Sequence, residues 1–115
     1  MNNILQNAYN AVIDLINRDN LGQYGKGNID LYNRPQVKIP DGSVSTVRSF
    51  SFNDGNNEVL IPTVMDNGII VPYNEAIENY YKTGKYLGKF NSVKDADRYA
   101  QKLHKQQERY YINWI

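Results

Sequence analysis

The residues that decide the fold are 45–64, which read STVRSFSFNDGNNEVLIPTV. Polar and apolar residues alternate in the first part, so Arg48, Phe50 and Phe52 share one face of a strand and the serines take the other. Residues 53–57 contain an Asp-Gly pair typical of a hairpin turn, and the apolar run at 58–64 predicts the returning strand. Pro62 cannot donate a ladder hydrogen bond, which predicts an edge position or a bulge for this second strand.

Two further turns extend the hairpin into a meander. Residues 40–43, PDGS, follow a short apolar stretch at 37–39, and their proline and glycine supply the backbone angles of a tight turn. Residues 66–68, DNG, are a second tight-turn signal that leads into the apolar residues 69–71. We therefore predict three or four short antiparallel strands.

Amphipathic stretches on both sides of the meander predict helices. Apolar residues recur at three- and four-residue steps in 3–18, which predicts an N-terminal helix within residues 1–21. Residues 22–36 hold three glycines and Pro35, and we predict a surface connector that acts as a hinge. Residues 75–82, ended by Gly84, and residues 93–111 predict two more helices.

The expected fold class is therefore α+β in a single compact domain. It consists of an N-terminal helix, a connector and a core at residues 37–115. In that core, a small antiparallel meander of three or four strands carries two C-terminal helices, both packed on one face of the sheet.

Composition excludes several kinds of site. The 115 residues include no cysteine and one histidine, His104, which excludes thiolate zinc sites, cysteine nucleophiles and histidine-rich metal centres. No apolar run is long enough to span a membrane, and residues 1–20 show no secretory signal pattern, so we expect neither insertion nor secretion. No motif supplies His104 with an orienting acid and a nucleophile. We expect no cofactor, no metal and no enzymatic activity.

The sharpest charge pattern lies between residues 82 and 115, where eight basic residues accompany three acidic ones. Five of the basic residues recur at steps of four, four, three and four, which keeps them on one side of a helix: Lys94, Arg98, Lys102, Lys105 and Arg109. Such a stripe predicts binding to DNA or to an acidic protein surface. It is also typical of a solvated helix face, and both interpretations stay open.

Arg48 is a second candidate because it shares its strand face with Phe50 and Phe52. A guanidinium in apolar surroundings needs a partner, and we expect Glu58, across the hairpin, to form a salt bridge with it. The functional alternative is an arginine displayed for a carboxylate or a phosphate.

The C-terminal end is aromatic and apolar. Trp and Tyr dominate the energetics of protein interfaces, so this end is a candidate docking anchor, although it can equally close the core of the domain itself. The anchor residues are Tyr110, Tyr111, Ile112, Trp114 and Ile115.

A longer signature runs from Gly27 to Tyr110. Its pieces are GNIDL at 27–31, NRP at 33–35, PDGSVSTVRS at 40–49, EVLIPTV at 58–64, EAI at 75–77, TGKYLGKF at 83–90, and the pairs Tyr99-Ala100 and Leu103-His104. Together they resemble a small module of tailed-bacteriophage proteins, which occurs alone and inside large virion-associated or injected polypeptides. The resemblance implies a phage origin and a structural role, and it supplies no catalytic residue.

The function expected first is that of a minor virion protein of the capsid, neck, tail or interior. It would bind other phage structural proteins within an oligomeric assembly, in the virion or in the host cytoplasm. One alternative is a small nucleic-acid-binding protein that uses the basic C-terminal helix. Another is an inhibitor of host defence, although no residue of the sequence specifically indicates this function.

Overall fold

A computed structural model describes residues 21–35, 37–38, 44–45 and 48–112. The elements in chain order are β1 (Val37–Lys38), β2 (Val44–Ser45), β3 (Ser49–Asn53), β4 (Glu58–Pro62), α1 (Tyr73–Thr83), β5 (Gly88–Phe90) and α2 (Val93–Ile112). β1 pairs with β2, and a separate antiparallel sheet has the order β3-β4-β5. The predicted α+β class is confirmed, whereas the N-terminal helix predicted at 3–18 lies outside the described residues.

The β3–β4 hairpin follows the turn chemistry of its loop. The carboxylate of Asp54 accepts hydrogen bonds from the backbone N–H groups of Asn56, at 2.8 Å, and Asn57, at 2.7 Å. Gly55 takes a φ of +102°, a conformation that a side chain would strain. Asn53 lies opposite Glu58 in the register, so β3 extends one residue into the predicted loop at 53–57.

β4 lies at the centre of the sheet, which corrects the edge position predicted from Pro62. β5 pairs only with residues 58–60 of β4. Pro62 is the last residue of β4, opposite Ser49, and it lies beyond the part of the strand that has neighbours on both sides. The missing N–H of the proline therefore interrupts no ladder between three strands.

The two helices pack on opposite faces of the sheet, which corrects the prediction that both cover one face. Val59 and Ile61 of β4 form a cluster with Ala76 of α1. Leu60, which points to the other face, packs in a second cluster that includes Leu103 of α2. β4 is apolar at every interior position, as is typical of a strand buried on both faces, and its pattern could not assign the helices to a side.

The second half of the predicted surface connector at 22–36 contributes to the core, which corrects the prediction there, whereas residues 22–26 are exposed as predicted. Ile29 and Leu31 are buried and pack with the α2 cluster. A Cβ atom added to Gly27 would fall on the backbone of Tyr86 and Leu87, so glycine is needed here for close approach. The N–H of Asn28 donates to the carbonyl of Tyr86 at 3.1 Å and fixes this contact.

A buried arginine joins this segment to the end of β4. The guanidinium of Arg34 donates to the carbonyl of Val64 at 2.6 Å and to the carboxylate of Asp66 at 3.1 Å. Asp66 begins the predicted tight turn, and Lys85 reaches the same carboxylate at 3.2 Å. Where a further strand was predicted at 69–71, one bridge between Val64 and Ile70 forms.

The ends of both helices show how the sequence sets their limits. α1 begins two residues before the predicted start, with Pro72 at the N-cap and no side-chain cap. Gly84 ends it in the left-handed conformation, with φ +71°. The Ser92 hydroxyl accepts a hydrogen bond from the Asp95 N–H at 3.2 Å and caps α2. Within the described part of the chain, no helix combines the length and apolar character needed to cross a membrane.

Candidate nucleic-acid interface

The basic residues of α2 lie on the side of the helix that faces away from the sheet. Lys94, Arg98, Lys102 and Lys105 are all exposed. The buried residues of α2 are Ala96, Tyr99, Leu103 and Gln107. At 3.6 residues per turn, the centres of the two sets are about 150° apart around the helix axis. Arg109 falls at the next step of the basic series within α2. The spacing predicted from the sequence therefore produces one continuous positive stripe.

Beside this stripe lies a basic depression of about 400 Å³ between α2, β5 and the loop at residues 21–27. Its cationic lining residues include Arg98 and Lys102 from α2 and Lys26 from the loop, and its acidic lining residue is Asp95. The Lys26 ammonium lies 5.6 Å from the ring centre of Phe90 and 5.5 Å from that of Tyr99. Positive charge from two distant parts of the chain thus converges on one concave surface.

Local packing fixes the position of Lys26. Its backbone N–H donates to the Tyr99 hydroxyl at 2.9 Å, across 73 residues of sequence. The N–H of Gly27 donates to the carbonyl of Tyr24 at 3.1 Å and closes the turn that carries the lysine. A Cβ atom on Gly25 would collide with the Tyr99 hydroxyl, so the loop approaches α2 as closely as a glycine permits.

Burial of the Tyr99 phenol supports the same arrangement. Burial raises the pKa of Tyr99, while the N–H that Lys26 donates to the phenol oxygen acts in the opposite direction. The phenol therefore remains protonated at neutral pH and brings no negative charge to the floor of the depression. Sequence reasoning missed Lys26 because its only signal was its place among glycines, which indicated a flexible segment.

Lys89 on β5 lines the depression and also belongs to an aromatic cluster on the α1 side of the sheet. Its ammonium lies 4.8 Å from the ring centre of Tyr86 and 6.0 Å from that of Tyr80. A hydrogen bond with the Tyr80 side chain is the main cause that raises the pKa of Lys89, so this lysine stays charged over the physiological range. The sequence analysis did not single out Lys89 either.

The structure does not bring Arg48 and Glu58 together, so the predicted salt bridge is wrong. Glu58 lies opposite Asn53 at one end of the hairpin, and Arg48 precedes β3 at the other end. Glu58 is buried and accepts a hydrogen bond from the Ser51 hydroxyl at 3.0 Å, on the face that α2 covers. The Arg48 side chain is exposed, which leaves its alternative role as a displayed anion-binding group as a prediction.

His104, the one histidine of the chain, lies near a carboxylate of its own helix. Its Nε2 atom is 3.9 Å from a Glu108 carboxylate oxygen, and both side chains are more than half exposed to solvent. Among the residues with described side chains, no group of three or more histidine, aspartate or glutamate residues is placed to hold a metal ion.

The predicted docking anchors at the C-terminus are not tested. Tyr110, Tyr111 and Ile112 form the last turn of α2, and the structure describes only their backbone. Trp114 and Ile115 lie outside the described residues.

Comparison with known proteins adds no assignment. No protein-family model, no curated protein and no solved structure matches this chain. The positive stripe of α2 and the basic depression beside it are therefore the features from which a function can be inferred.

Proposed function

We propose that this chain is a non-enzymatic binding protein that holds nucleic acid through a basic face. We define the basic face as the exposed cations of α2 together with the lysine of the neighbouring loop: Lys94, Arg98, Lys102, Lys105 and Lys26. The observation that carries the proposal is the convergence of Lys26 with Arg98 and Lys102 in one depression. If this helix face served only to contact solvent, there would be no reason for a lysine from a distant loop to be held beside it.

The dimensions of the stripe suit a nucleic-acid backbone. From Lys94 to Lys105 the helix rises by about 16 Å, at 1.5 Å per residue. One strand of B-DNA places a phosphate about every 3.4 Å along the duplex axis, so the stripe is about as long as five phosphate-to-phosphate steps. Lysine and arginine that contact phosphates position a protein on nucleic acid without reading bases, so we expect binding with little dependence on sequence.

Reversal of two charges at the centre of the stripe tests the proposal. The double variant Arg98→Glu with Lys102→Glu removes two cations and adds two carboxylates on an exposed surface. A matched control, Lys82→Glu with Lys85→Glu, changes the net charge equally at exposed positions away from α2. Fluorescence anisotropy with a labelled DNA duplex at fixed salt gives the affinity of each protein.

We expect the α2 variant to bind at least about tenfold more weakly, because two phosphate contacts are lost. The control should retain most of the affinity of the wild type. Unchanged binding by the α2 variant would overturn the proposal. An equal loss in the control would show that net charge alone drives association, and that result would also overturn it.

We further propose that the protein is a minor component of a tailed-phage particle. The support is the resemblance of residues 27–110 to a phage module. The matching pieces contain core residues from both sheet faces, such as Leu31, Leu60 and Ile61, so the resemblance concerns the folded domain. Within the particle, the expected partners are other phage structural proteins and the packaged DNA.

Mass spectrometry of highly purified particles tests whether the protein is a component of the phage particle. The number of copies is measured against the major capsid protein. A fixed copy number compatible with the symmetry of a capsid, neck or tail supports the proposal. Absence from the particle, when the infected cell contains the protein in abundance, contradicts it.

A further inference from the structure

The α1 side of the sheet carries an aromatic row that runs from the core cluster of α1 to a largely exposed tyrosine. We define the aromatic row as Tyr81, Tyr80 and Tyr86. The ring centres of Tyr81 and Tyr80 are 5.2 Å apart, and those of Tyr80 and Tyr86 are 6.4 Å apart. Tyr81 is 64% exposed although its ring meets Phe52 edge-on at 6.1 Å. A large aromatic side chain thus contacts two neighbouring rings while most of its surface stays exposed.

Lys89 connects this row with the basic depression. It projects from β5, which is an edge strand of the sheet. Its ammonium lies above Tyr86 and beside Tyr80, and the same residue lines the depression that Lys26 and Arg98 form on the other side. The aromatic row therefore ends at the sheet edge where the positive surface begins.

This combination fits a single strand better than a duplex. Proteins that bind single strands combine a cationic groove for the backbone with aromatic rings on which bases stack. The aromatic row and α2 lie on opposite faces of the sheet, so a ligand that contacts both has to turn around the edge of β5. A duplex is too stiff to turn so sharply, with a persistence length of about 150 base pairs, and its bases are stacked inside.

We infer that single-stranded nucleic acid crosses the edge of β5, with phosphates in the basic depression and a base stacked on Tyr81. This inference rests on the proposed function, and it specifies the class of nucleic acid. Lys89 neutralises a phosphate between the two ends of the path. The negative charge of Asp54 contributes to the raised pKa of Lys89, and this carboxylate marks the end of the positive surface on the side of the hairpin.

The test replaces Tyr81 by leucine and measures a labelled oligo(dT) and a DNA duplex in parallel. Tyr73→Leu is the matched control. Tyr73 also belongs to α1, is 65% exposed and stacks on a β3 phenylalanine, Phe50, at 4.2 Å, but it is not part of the aromatic row. Tyr81→Phe retains a ring for stacking and should bind oligo(dT) as the wild type does. Thermal unfolding confirms that each variant is folded.

We expect Tyr81→Leu to weaken oligo(dT) binding by at least about fivefold, the lower end of the range for one stacked base, and to leave duplex binding unchanged. Tyr73→Leu should change neither. Unchanged oligo(dT) affinity in folded Tyr81→Leu overturns the inference, as does an equal loss in Tyr73→Leu. Either result leaves the basic face intact as a proposal. The proposed function itself is tested separately, by the charge reversal at Arg98 and Lys102 and its control.

Discussion

Replacement of Lys26 by methionine gives the most direct test of whether the loop contributes to the basic face. Methionine retains an unbranched apolar stem that can cover Phe90 and Tyr99, and it removes the charge. Binding to a B-DNA duplex weakens with salt at a logarithmic slope of about −0.9 for each phosphate that the protein neutralises. The slope therefore counts the cations in contact, which a single affinity does not.

The number of cations in the basic face sets the expected salt dependence of binding. If all five of its cations contact phosphates, the slope is about −4.5, and a rise from 50 to 200 mM salt weakens binding about 500-fold. Without the Lys26 charge the slope is about −3.6, and the same rise weakens binding about 150-fold. Anisotropy titrations at four or five salt concentrations resolve this difference.

The control is Lys85→Met, which removes one positive charge from a half-exposed lysine that pairs with Asp66, outside the basic face. Its slope should equal that of the wild type. A normal slope in Lys26→Met, together with a reduced slope in Lys102→Met, would refute the reasoning. The nucleic acid would then lie along α2 alone, and the position of Lys26 would have no part in binding.

Three further predictions concern the parts of the fold that hold this surface in place. Gly27→Ala should lower the free energy of unfolding in urea by about 1–3 kcal/mol relative to the wild type, because the new methyl group meets the fixed backbone of Tyr86 and Leu87. Arg34→Met should cost about 1–3 kcal/mol because it leaves a buried carbonyl without its donor, whereas Asp66→Asn should cost less than about 1 kcal/mol because that carboxylate is 73% exposed. The backbone N–H groups of the hairpin loop lower the pKa of Asp54, first that of Asn57. This carboxylate therefore stabilises the fold above its unfolded-state pKa, and the stabilisation is lost as the pH falls through the folded-state value. The stability difference between the wild type and Asp54→Ala in urea should accordingly be present at about pH 6 and shrink towards about pH 2.

The hairpin could be predicted because its signals are local. The alternation in β3 and the loop chemistry at 53–57 act within a few residues, and the structure shows the predicted hairpin turn. The capping serine and the basic spacing of α2 are local in the same sense, since they depend on 3.6 residues per turn and on nothing distant.

The features that could not be predicted depend on contacts between distant segments. The faces that the helices cover depend on β4, whose apolar residues offer no difference between its two sides. Gly27 lies in a segment whose composition is typical of a flexible linker. Only the position of Tyr86 shows that this glycine permits close packing. Lys26 carries no motif, and its place beside Arg98 follows from a hydrogen bond to Tyr99.

The same distant contacts determine how the proposed surface depends on the fold. A basic stripe on one helix needs only the helix, and an isolated α2 peptide would present the same side chains. The basic depression instead requires the loop to pack against α2, and the loop is held by Gly27 on Tyr86 and by Ile29 in the core. Loss of this packing removes Lys26 from the basic face and leaves the stripe in place. A destabilised loop should therefore lower the salt slope of binding towards that of Lys26→Met, even though no cation has been removed from the sequence.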